Sequence, residues 1–144
     1  MSKPFKILLI EDNPADIRMA EEAFKECSSK ISLSYVLNGF EAIDFLTKSG
    51  QYENEADPDL IILDLNLPKI NGFEVLARVK QEEGLKQIPI LIFTTSESEE
   101  DIKKCYELGA NSFISKPITL DTYVQTIKLI ERYWLNLVKL PRHN

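Results

Sequence analysis

Short apolar runs alternate along the chain with segments of helical periodicity. The runs are apolar at most positions or alternate apolar with polar residues, which is typical of strands. In the segments between them, apolar residues recur every three or four positions, which predicts amphipathic helices. The predicted strands are 5–12, 31–37, 59–65, 88–95 and 112–116. The predicted helices are 13–27, 38–48, 71–81, 98–109 and 119–138.

The second predicted helix illustrates how the inward faces are assigned. In segment 38–48, Phe40 and Ile43, with either Phe45 or Leu46, recur at helical spacing and are expected to face the core. The polar, turn-rich stretch 49–58 that follows is predicted to be a loop.

The alternation of strands and helices predicts an α/β fold with a parallel sheet. Strands that are apolar on both faces need helices on both faces, and right-handed crossovers leave few topologies. We expect a flavodoxin-like, doubly wound sheet of five strands in the order 2-1-3-4-5. A chain of 144 residues fits one such domain, predicted over 1–131, followed by a helical extension and tail over 132–144.

Composition narrows the classes of function. The formal net charge is −6 and no run of Lys and Arg is present, which argues against a nucleic-acid partner. No apolar stretch is long enough for a leader or a membrane span, so we expect a cytoplasmic protein without a membrane partner. Only about a dozen residues follow the predicted domain, too few for a DNA-binding module, so the output is expected to be a protein–protein contact.

Polar residues end four of the predicted strands. Glu11 and Asp12 end the first strand, Asp64 the third, Thr94 the fourth and Lys116 the fifth. Parallel strands place these ends at one edge of the sheet, and ligands bind at that edge where the strand order reverses. The reversal falls between strands one and three, so the three carboxylates are expected to share one cleft.

This set of side chains suits phosphoryl transfer. Three carboxylates in one cleft repel each other, and their oxygen ligands suit Mg²⁺ better than zinc. An ammonium group from Lys116 and a hydroxyl group from Thr94 would complete a clamp around a phosphoryl group. The carboxylate of Asp64 could act as the nucleophile and form an acyl phosphate.

Each residue also has an ordinary structural explanation. Asp12 or Asn13 could cap the first helix, and Asp64 could serve the turn that follows it. Thr94 could be a plain strand residue, and Lys116 a solvated lysine. Their joint occurrence at successive strand ends favours the functional interpretation.

The residues resemble the receiver domain of two-component response regulators. The matching motifs are LLIEDN (8–13), LIILDLNLPKINGFEVL (60–76), IPILIFTTS (88–96) and ELGANSFISKP (107–117). The resemblance implies a stand-alone, phosphorylatable switch, not an enzyme with a separate substrate. It would accept a phosphoryl group on Asp64 from a sensor histidine kinase. A relay that passes the phosphate to a histidine phosphotransfer protein is the alternative that stays open.

The resemblance also implies a ligand set for Mg²⁺. Asp12 resembles the direct metal ligand, and Glu11 resembles the acidic partner that acts mainly through water. Asp64 and the backbone carbonyl of Asn66 resemble the other protein ligands. An aspartyl phosphatase would need a second acid two residues after the nucleophile, and Asn66 cannot serve as one.

The remaining family positions concern the switch. Thr94, rather than Thr95, resembles the hydroxyl that moves toward the phosphoryl group, and Lys116 resembles the phosphate-binding lysine. Phe113 resembles the aromatic switch residue, although plain core packing would also explain it. The family commonly has a cis peptide bond after the lysine, which implies one between Lys116 and Pro117.

Two positions tune the phosphate lifetime in receiver domains. They lie two residues after the acceptor and two residues after the hydroxyl, and here they are Asn66 and Ser96. Both are small and polar, and this pattern does not rank the lifetime.

A narrower resemblance links the chain to single-domain regulators associated with bacterial phytochromes. It rests on the stretches IEDNPADIRMAEEAF, GQYENEADPDLIILDLNLPKING and IERYWLNLVKLP. The resemblance implies a place downstream of a phytochrome-type kinase.

The last predicted helix carries an apolar stripe that extends beyond the usual end of a receiver domain. A stripe that outruns its own core predicts an interaction surface. We therefore expect a homodimer that uses Trp134, Leu137 and Val138. The alternative is that Trp134 and Leu137 fold back on their own subunit. The stripe consists of Leu120, Val124, Ile127, Ile130, Trp134, Leu137 and Val138.

Overall fold

The structure, a computed structural model, describes residues 3–141. The strands are β1 (Phe5–Ile10), β2 (Ile31–Val36), β3 (Leu60–Leu63), β4 (Ile90–Thr94) and β5 (Ser112–Ser115). The helices are α1 (Pro14–Lys25), α2 (Gly39–Thr47), α3 (Gly72–Gln81), α4 (Glu99–Glu107) and α5 (Leu120–Ile130). A 3-10 turn covers Gly50–Tyr52, and a π-helical segment covers Glu131–Leu137.

The five strands form one parallel sheet in the order β2-β1-β3-β4-β5. Ile7 of β1 is in register with Leu33 of β2 on one side and with Leu60 of β3 on the other. The strand order therefore reverses beside β1, as expected for the doubly wound, flavodoxin-like fold, and the predicted fold class is confirmed.

Each face of the sheet carries its own core because successive residues of a strand point to opposite faces. In β3, Leu60 and Ile62 pack toward α1 and α5, whereas Ile61 and Leu63 pack toward α2, α3 and α4. All four side chains are almost fully buried, so β3 lies deep between two helical layers.

Side-chain caps begin all five α-helices near the carboxyl edge of the sheet. In each cap a side-chain oxygen accepts a hydrogen bond from a backbone N–H of the first turn, which stabilises a helix start. The first helix is capped by Asn13, so capping does not explain Asp12. The cap residues are Asn13, Asn38, Asn71, Ser98 and Thr119.

The prediction that Phe40 faces the core is wrong, because its side chain is 54% exposed. The buried face of α2 is formed by Ala42, Phe45 and Leu46. Phe40 precedes Ala42 by two positions and therefore points to the opposite side of the helix. The prediction chose Phe40 for its large apolar side chain and left out the small Ala42, which is fully buried.

The single α-helix predicted over 119–138 differs from the structure. The α-helix ends at Ile130, and Val138 N–H then donates to Tyr133 C=O at 2.8 Å, five residues back, as in a π-helix. This change of period rotates the later side chains. Leu135, which was not in the predicted stripe, becomes 4% exposed, while Leu137 is 69% exposed.

The predicted cis bond between Lys116 and Pro117 is also wrong. No peptide bond within residues 3–141 is cis. Trans is the intrinsically favoured isomer even before proline. None of the helices in that range combines the length and the hydrophobicity that a bilayer span needs. The boundary predicted at residue 131 stays a prediction, and residues 142–144 of the predicted tail lie outside the described residues.

Candidate functional site

The strand ends bring three carboxylates into one cleft. Glu11 follows β1, and its N–H donates to Val36 C=O at 3.0 Å. Asp64 follows β3, and its N–H donates to Ile10 C=O at 3.1 Å. Because the ladder continues to these residues, their side chains emerge side by side. One carboxylate oxygen from each of Glu11, Asp12 and Asp64 lies within 4.8 Å of the others.

The ammonium group of Lys116 lies in the middle of this cleft. Lys116 Nζ donates to Glu11 Oε1 at 2.5 Å, to Asp16 Oδ2 at 2.8 Å and to Asp64 Oδ2 at 3.0 Å. Its side chain is 6% exposed. Lys116 follows β5, and its N–H donates to Thr94 C=O at 2.7 Å, which fixes where the side chain starts.

Burial and charge change the protonation of the pocket. Burial raises the pKa of Glu11 from 4.5 to about 7, against the lowering effect of the hydrogen bond from Lys116. Burial by itself would lower the pKa of Lys116, but its hydrogen bonds to Asp16 and Glu11 outweigh this and raise the pKa above its usual range. The lysine is therefore fully charged at neutral pH, whereas Glu11 is close to its midpoint.

Asp64 is held in one orientation at the end of β3. Its Oδ1 accepts from Asn66 N–H at 3.1 Å, and its Oδ2 accepts from Lys116. Gly72 lets the start of α3 approach this turn, since a Cβ there would lie 2.5 Å from Asp64 O and 2.6 Å from Leu65 Cα. The carboxylate is thus held by a backbone N–H of the loop after β3 and by the ammonium of Lys116.

Thr94 carries an unpaired hydroxyl at the same edge. The residue is fully buried, and its Oγ1 has no hydrogen-bond partner among residues 3–141. A buried polar group without a partner is uncommon and points to a function or a missing ligand. The unpaired hydroxyl fits a phosphoryl group, which supplies acceptor oxygens.

Phe113 and Ser96 occupy the surroundings of Thr94. Phe113 is half-buried, is in register with Ile92 of β4 and packs against the core on the α4 side. Ile92 and Thr94 lie two residues apart on β4, so Thr94 and Phe113 share a face of the sheet. Ser96 Oγ donates to Asp101 Oδ2 at 2.7 Å. Both sequence candidates thus lie beside the strand end that carries the hydroxyl.

The three residues predicted for the dimer differ in how exposed they are. Trp134 is half-buried and packs against its own core, on the α1 and α5 face. Val138 is also half-buried, and only Leu137 is exposed. The structure therefore separates the three predicted residues.

Asp16 is the pocket residue that the sequence analysis missed. It lies in the first turn of α1, four residues after Asp12, and reaches Lys116 from outside the group of three carboxylates. An acidic residue in a first helical turn is normally explained by the helix dipole, which hides any other role. Its place in the first turn of the helix that begins directly after Glu11 and Asp12 was the available signal, because that turn lies beside the same edge of the sheet.

The donor set of the cleft suits a divalent cation. Carboxylate and carbonyl oxygens are the ligands that hard cations such as Mg²⁺ or Mn²⁺ prefer. Glu11 and Asp64 are 2% and 7% exposed, so their charges need a cationic partner. Lys116 supplies only one positive charge among several carboxylates. The negative charge that remains favours binding of a metal ion.

Comparison with known proteins identifies the family. The model of the response regulator receiver domain matches residues 7–128. The chain belongs to the response regulator receiver family. Receiver domains are signalling switches that bind a divalent metal and have histidine kinases as partners. The matched residues include every pocket residue described above.

Similar receiver domains include regulators named for phytochromes. Response regulator Rcp1 of Synechocystis sp. (strain ATCC 27184 / PCC 6803 / Kazusa) is 43% identical over 138 residues, which cover 96% of this chain and 94% of Rcp1. The crystal structure of the phosphorylated cyanobacterial phytochrome response regulator RcpA has a TM-score of 0.94 and 43% identity, covering 97% of this chain and all of that one. The Mn²⁺-bound form of Rcp1 has a TM-score of 0.92 and 42% identity, covering 96% of this receiver domain and 100% of that chain.

Proposed function

We propose that Asp64 accepts a phosphoryl group from the phosphohistidine of a sensor histidine kinase. A carboxylate oxygen of Asp64 attacks phosphorus, and the bond from phosphorus to the imidazole nitrogen breaks. The imidazole leaves and takes up a proton, and an acyl phosphate remains on Asp64. Hydrolysis by water later returns the carboxylate and releases inorganic phosphate, so the chain catalyses only its own phosphorylation and dephosphorylation.

In this proposal Asp12, Asp64 and the backbone carbonyl of Asn66 hold Mg²⁺, with Glu11 acting through water. The ion neutralises charge on the phosphoryl oxygens and orients the acceptor when it is bound. The 4.8 Å grouping of the three carboxylates supports the ligand set. The Mn²⁺-bound form of the relative Rcp1 supports divalent metal binding in a similar chain.

Lys116 and Thr94 would stabilise the phosphorylated state. The Lys116 ammonium already lies 3.0 Å from Asp64 and can move to a phosphoryl oxygen as a charge-assisted donor. The unpaired Thr94 hydroxyl can donate to another phosphoryl oxygen. Movement of Thr94 would open space on the face of the sheet that it shares with Phe113. A response of Phe113 to that space would couple the pocket to α4, β5 and α5. Asn66 and Ser96 would tune the phosphate lifetime.

The contact between Asp64 and Lys116 within the acidic cleft is the observation that carries this proposal. Incubation with acetyl phosphate and Mg²⁺ should add the mass of one phosphoryl group, and Asp64→Asn should abolish the gain. Asp59→Asn is the matched control, because Asp59 is also buried but precedes β3 at the opposite edge. Loss of the mass gain in the control alone, or a full gain in Asp64→Asn, would refute the assignment.

The likeness to RcpA supports a phytochrome-type kinase as the phosphoryl donor. We propose that this transfer takes place in the cytoplasm. Phosphotransfer from a purified phytochrome-type kinase should outpace transfer from an unrelated sensor kinase under equal conditions. Equal rates from both kinases would contradict this partner assignment. None of the observations above favours the relay alternative.

A homodimer through the exposed side of α5 is also part of the proposal. Leu129, Tyr133 and Leu137 are 60%, 52% and 69% exposed and line a shallow groove with Arg132 and Asn136. Exposed apolar side chains in one groove favour an interface. This set replaces the predicted one, because it keeps Leu137 but not Trp134 or Val138.

Sedimentation of Leu137→Asp tests the dimer better than truncation after residue 131. Truncation would remove Leu135, which is buried in the core, whereas Leu137 is exposed and its substitution leaves the core intact. The variant should sediment as a monomer where the wild type is a dimer. Glu107→Lys on α4 changes charge at an exposed position outside the groove and should leave the dimer unchanged.

A further inference from the structure

Asp16 completes the set of acceptors around the Lys116 ammonium. An ammonium group has three N–H donors. The carboxyl groups of Glu11, Asp16 and Asp64 lie 2.5, 2.8 and 3.0 Å from Lys116 Nζ, so each donor has one carboxyl oxygen as its acceptor. The phosphoryl chemistry proposed above uses Glu11 and Asp64 but assigns no task to Asp16.

Asp16 differs from the other two acceptors because it lies outside the group of carboxylates that could hold a metal ion. Glu11 and Asp64 belong to that group and would share their charge between the cation and Lys116. The Lys116 side chain is only 6% exposed, so water cannot replace a lost partner. A buried charge without a partner is costly. Asp16 is the acceptor that would still neutralise Lys116 when a cation is bound.

The position of Asp16 is fixed through its backbone. Its N–H donates to Asn13 Oδ1 at 3.3 Å in the cap of α1. Its carbonyl oxygen accepts from the Tyr123 hydroxyl at 3.4 Å. Tyr123 is 2% exposed in α5 and contacts the ring of Phe93 edge-on, with 5.4 Å between the ring centroids. Asp16 is therefore oriented by α1 and α5 together.

We propose that Asp16 is a positioning residue that keeps the Lys116 ammonium in the pocket when a divalent cation binds in the cleft formed by Glu11, Asp12 and Asp64. This inference rests on the proposed Mg²⁺-dependent function, but it does not require phosphorylation. The competing explanation is that Asp16 only stabilises α1 through the helix dipole, which would act independently of Lys116.

A double-mutant cycle separates the two explanations. Mg²⁺ affinity is measured by titration calorimetry at pH 8 for the wild type, Asp16→Asn, Lys116→Met and the double variant. Asp16→Asn should weaken Mg²⁺ binding about ten-fold in the wild-type background. In the Lys116→Met background the loss should fall below about three-fold, since only the general effect of charge remains. Equal losses in both backgrounds would overturn the proposal.

Glu22→Gln is the matched control for this cycle. Glu22 is also an acid of α1, but its side chain is 62% exposed and pairs with Lys25. This variant removes the same charge without touching Lys116, so its Mg²⁺ affinity should equal that of the wild type. A loss as large as that of Asp16→Asn would overturn the specific role of Asp16.

A second readout follows the lysine itself. The pKa of Lys116 is measured from its ¹³Cε signal in Mg²⁺-saturated protein, with the signal assigned by its absence in Lys116→Arg, which keeps the positive charge. This pKa should be lower in Asp16→Asn than in the wild type. The remaining acceptors, Glu11 and Asp64, also neutralise the cation and therefore stabilise the charged ammonium less. An unchanged pKa would overturn the proposal even if Lys116→Met does not fold.

These results distinguish the role of Asp16 from the proposed function. A chain that binds Mg²⁺ and meets both expectations, but gains no phosphoryl group from acetyl phosphate, would refute the function and leave the role of Asp16 intact. A chain that binds no Mg²⁺ would overturn both.

Discussion

The acidic pocket and the C-terminal segment over 131–141 are held together in different ways. In the pocket, the buried Lys116 binds three carboxylates from two distant stretches of the chain, Glu11 and Asp16 after β1 and Asp64 after β3. In the C-terminal segment, apolar side chains divide between the core and the surface, with Leu135 buried and Leu137 exposed two positions later. One buried carboxylate, Glu131, ties this segment to the residues that follow α1.

The difference shows what each kind of residue reveals in a sequence. Carboxylates such as Asp64 are rare at the ends of buried strands, so each one calls for a partner. Leucines are common both in cores and at interfaces, so Leu135 and Leu137 look alike until the local helical period is known. The positions of charged residues in the sequence therefore predict the pocket better than the positions of apolar residues predict the C-terminal segment.

Lys116→Met should have the largest effect on stability. Without Mg²⁺ it leaves Glu11 and Asp64 buried without a cation, and we expect the free energy of unfolding to fall by about 4 kcal/mol. Saturating Mg²⁺ should restore most of the loss because the metal replaces the missing charge. Urea unfolding with and without Mg²⁺ measures both quantities.

Lys86→Met is the control for that substitution. Lys86 pairs with Glu83 at 2.9 Å on the surface, where both side chains are largely exposed. Exposed ion pairs contribute little, so stability should change by less than about 0.5 kcal/mol. A deficit in Lys116→Met that Mg²⁺ does not repair would mean that the lysine stabilises by packing and not by charge.

Leu135→Ala and Leu137→Ala should differ strongly within the C-terminal segment. Leu135 fills the core between α1, α5 and the sheet, so its truncation should cost about 3 kcal/mol. Leu137 is exposed, and its truncation should cost less than about 0.5 kcal/mol in the monomer. Thermal unfolding at a concentration where both variants are monomeric provides the measurement, and similar costs would contradict the π-helical rotation.

The sequence predicted the sheet order and most of the pocket because both follow from strong local patterns. Asp64 and Lys116 stand directly after apolar strands, and parallel pairing brings strand ends together. Phe40 and Leu135 were misassigned because helical periodicity alone does not fix which face is buried or where the period changes. Asp16 was missed because it lies in the first turn of α1, where the helix dipole already explains an acidic residue.

Glu131→Gln tests the attachment of the C-terminal segment. Glu131 Oε2 accepts from Ser29 N–H at 2.7 Å and from Ser28 Oγ at 3.3 Å, and the residue is 7% exposed. Loss of these charge-assisted bonds should lower the free energy of unfolding by about 2 kcal/mol at pH 7. Glu26→Gln, at an exposed neighbouring carboxylate, should change stability little.

The pH dependence of the Glu131 effect has a defined sign. Burial by itself would raise the pKa of Glu131, but hydrogen bonds from Ser29, Cys27 and Ser28 outweigh it and lower the pKa below 4.5. Its stabilising contribution is therefore present above pH 4.5 and is lost as the pH falls through the lowered pKa. The gap between the wild type and Glu131→Gln should close under acidic conditions, and a constant gap would argue against an ionised carboxylate.

Glu11 should give the smallest effect, a dependence of Mg²⁺ affinity on pH. Its pKa of about 7 means that the metal-free pocket holds a proton below pH 7, which a metal ion must displace. Mg²⁺ affinity should therefore rise about ten-fold between pH 6 and pH 8 by calorimetry, with proton uptake by the buffer. Because the pKa is raised, metal-free stability should change in the opposite direction and decline as the pH rises from 4.5 through 7. Glu11→Gln should remove both trends, and their persistence in that variant would move the titrating group elsewhere in the pocket.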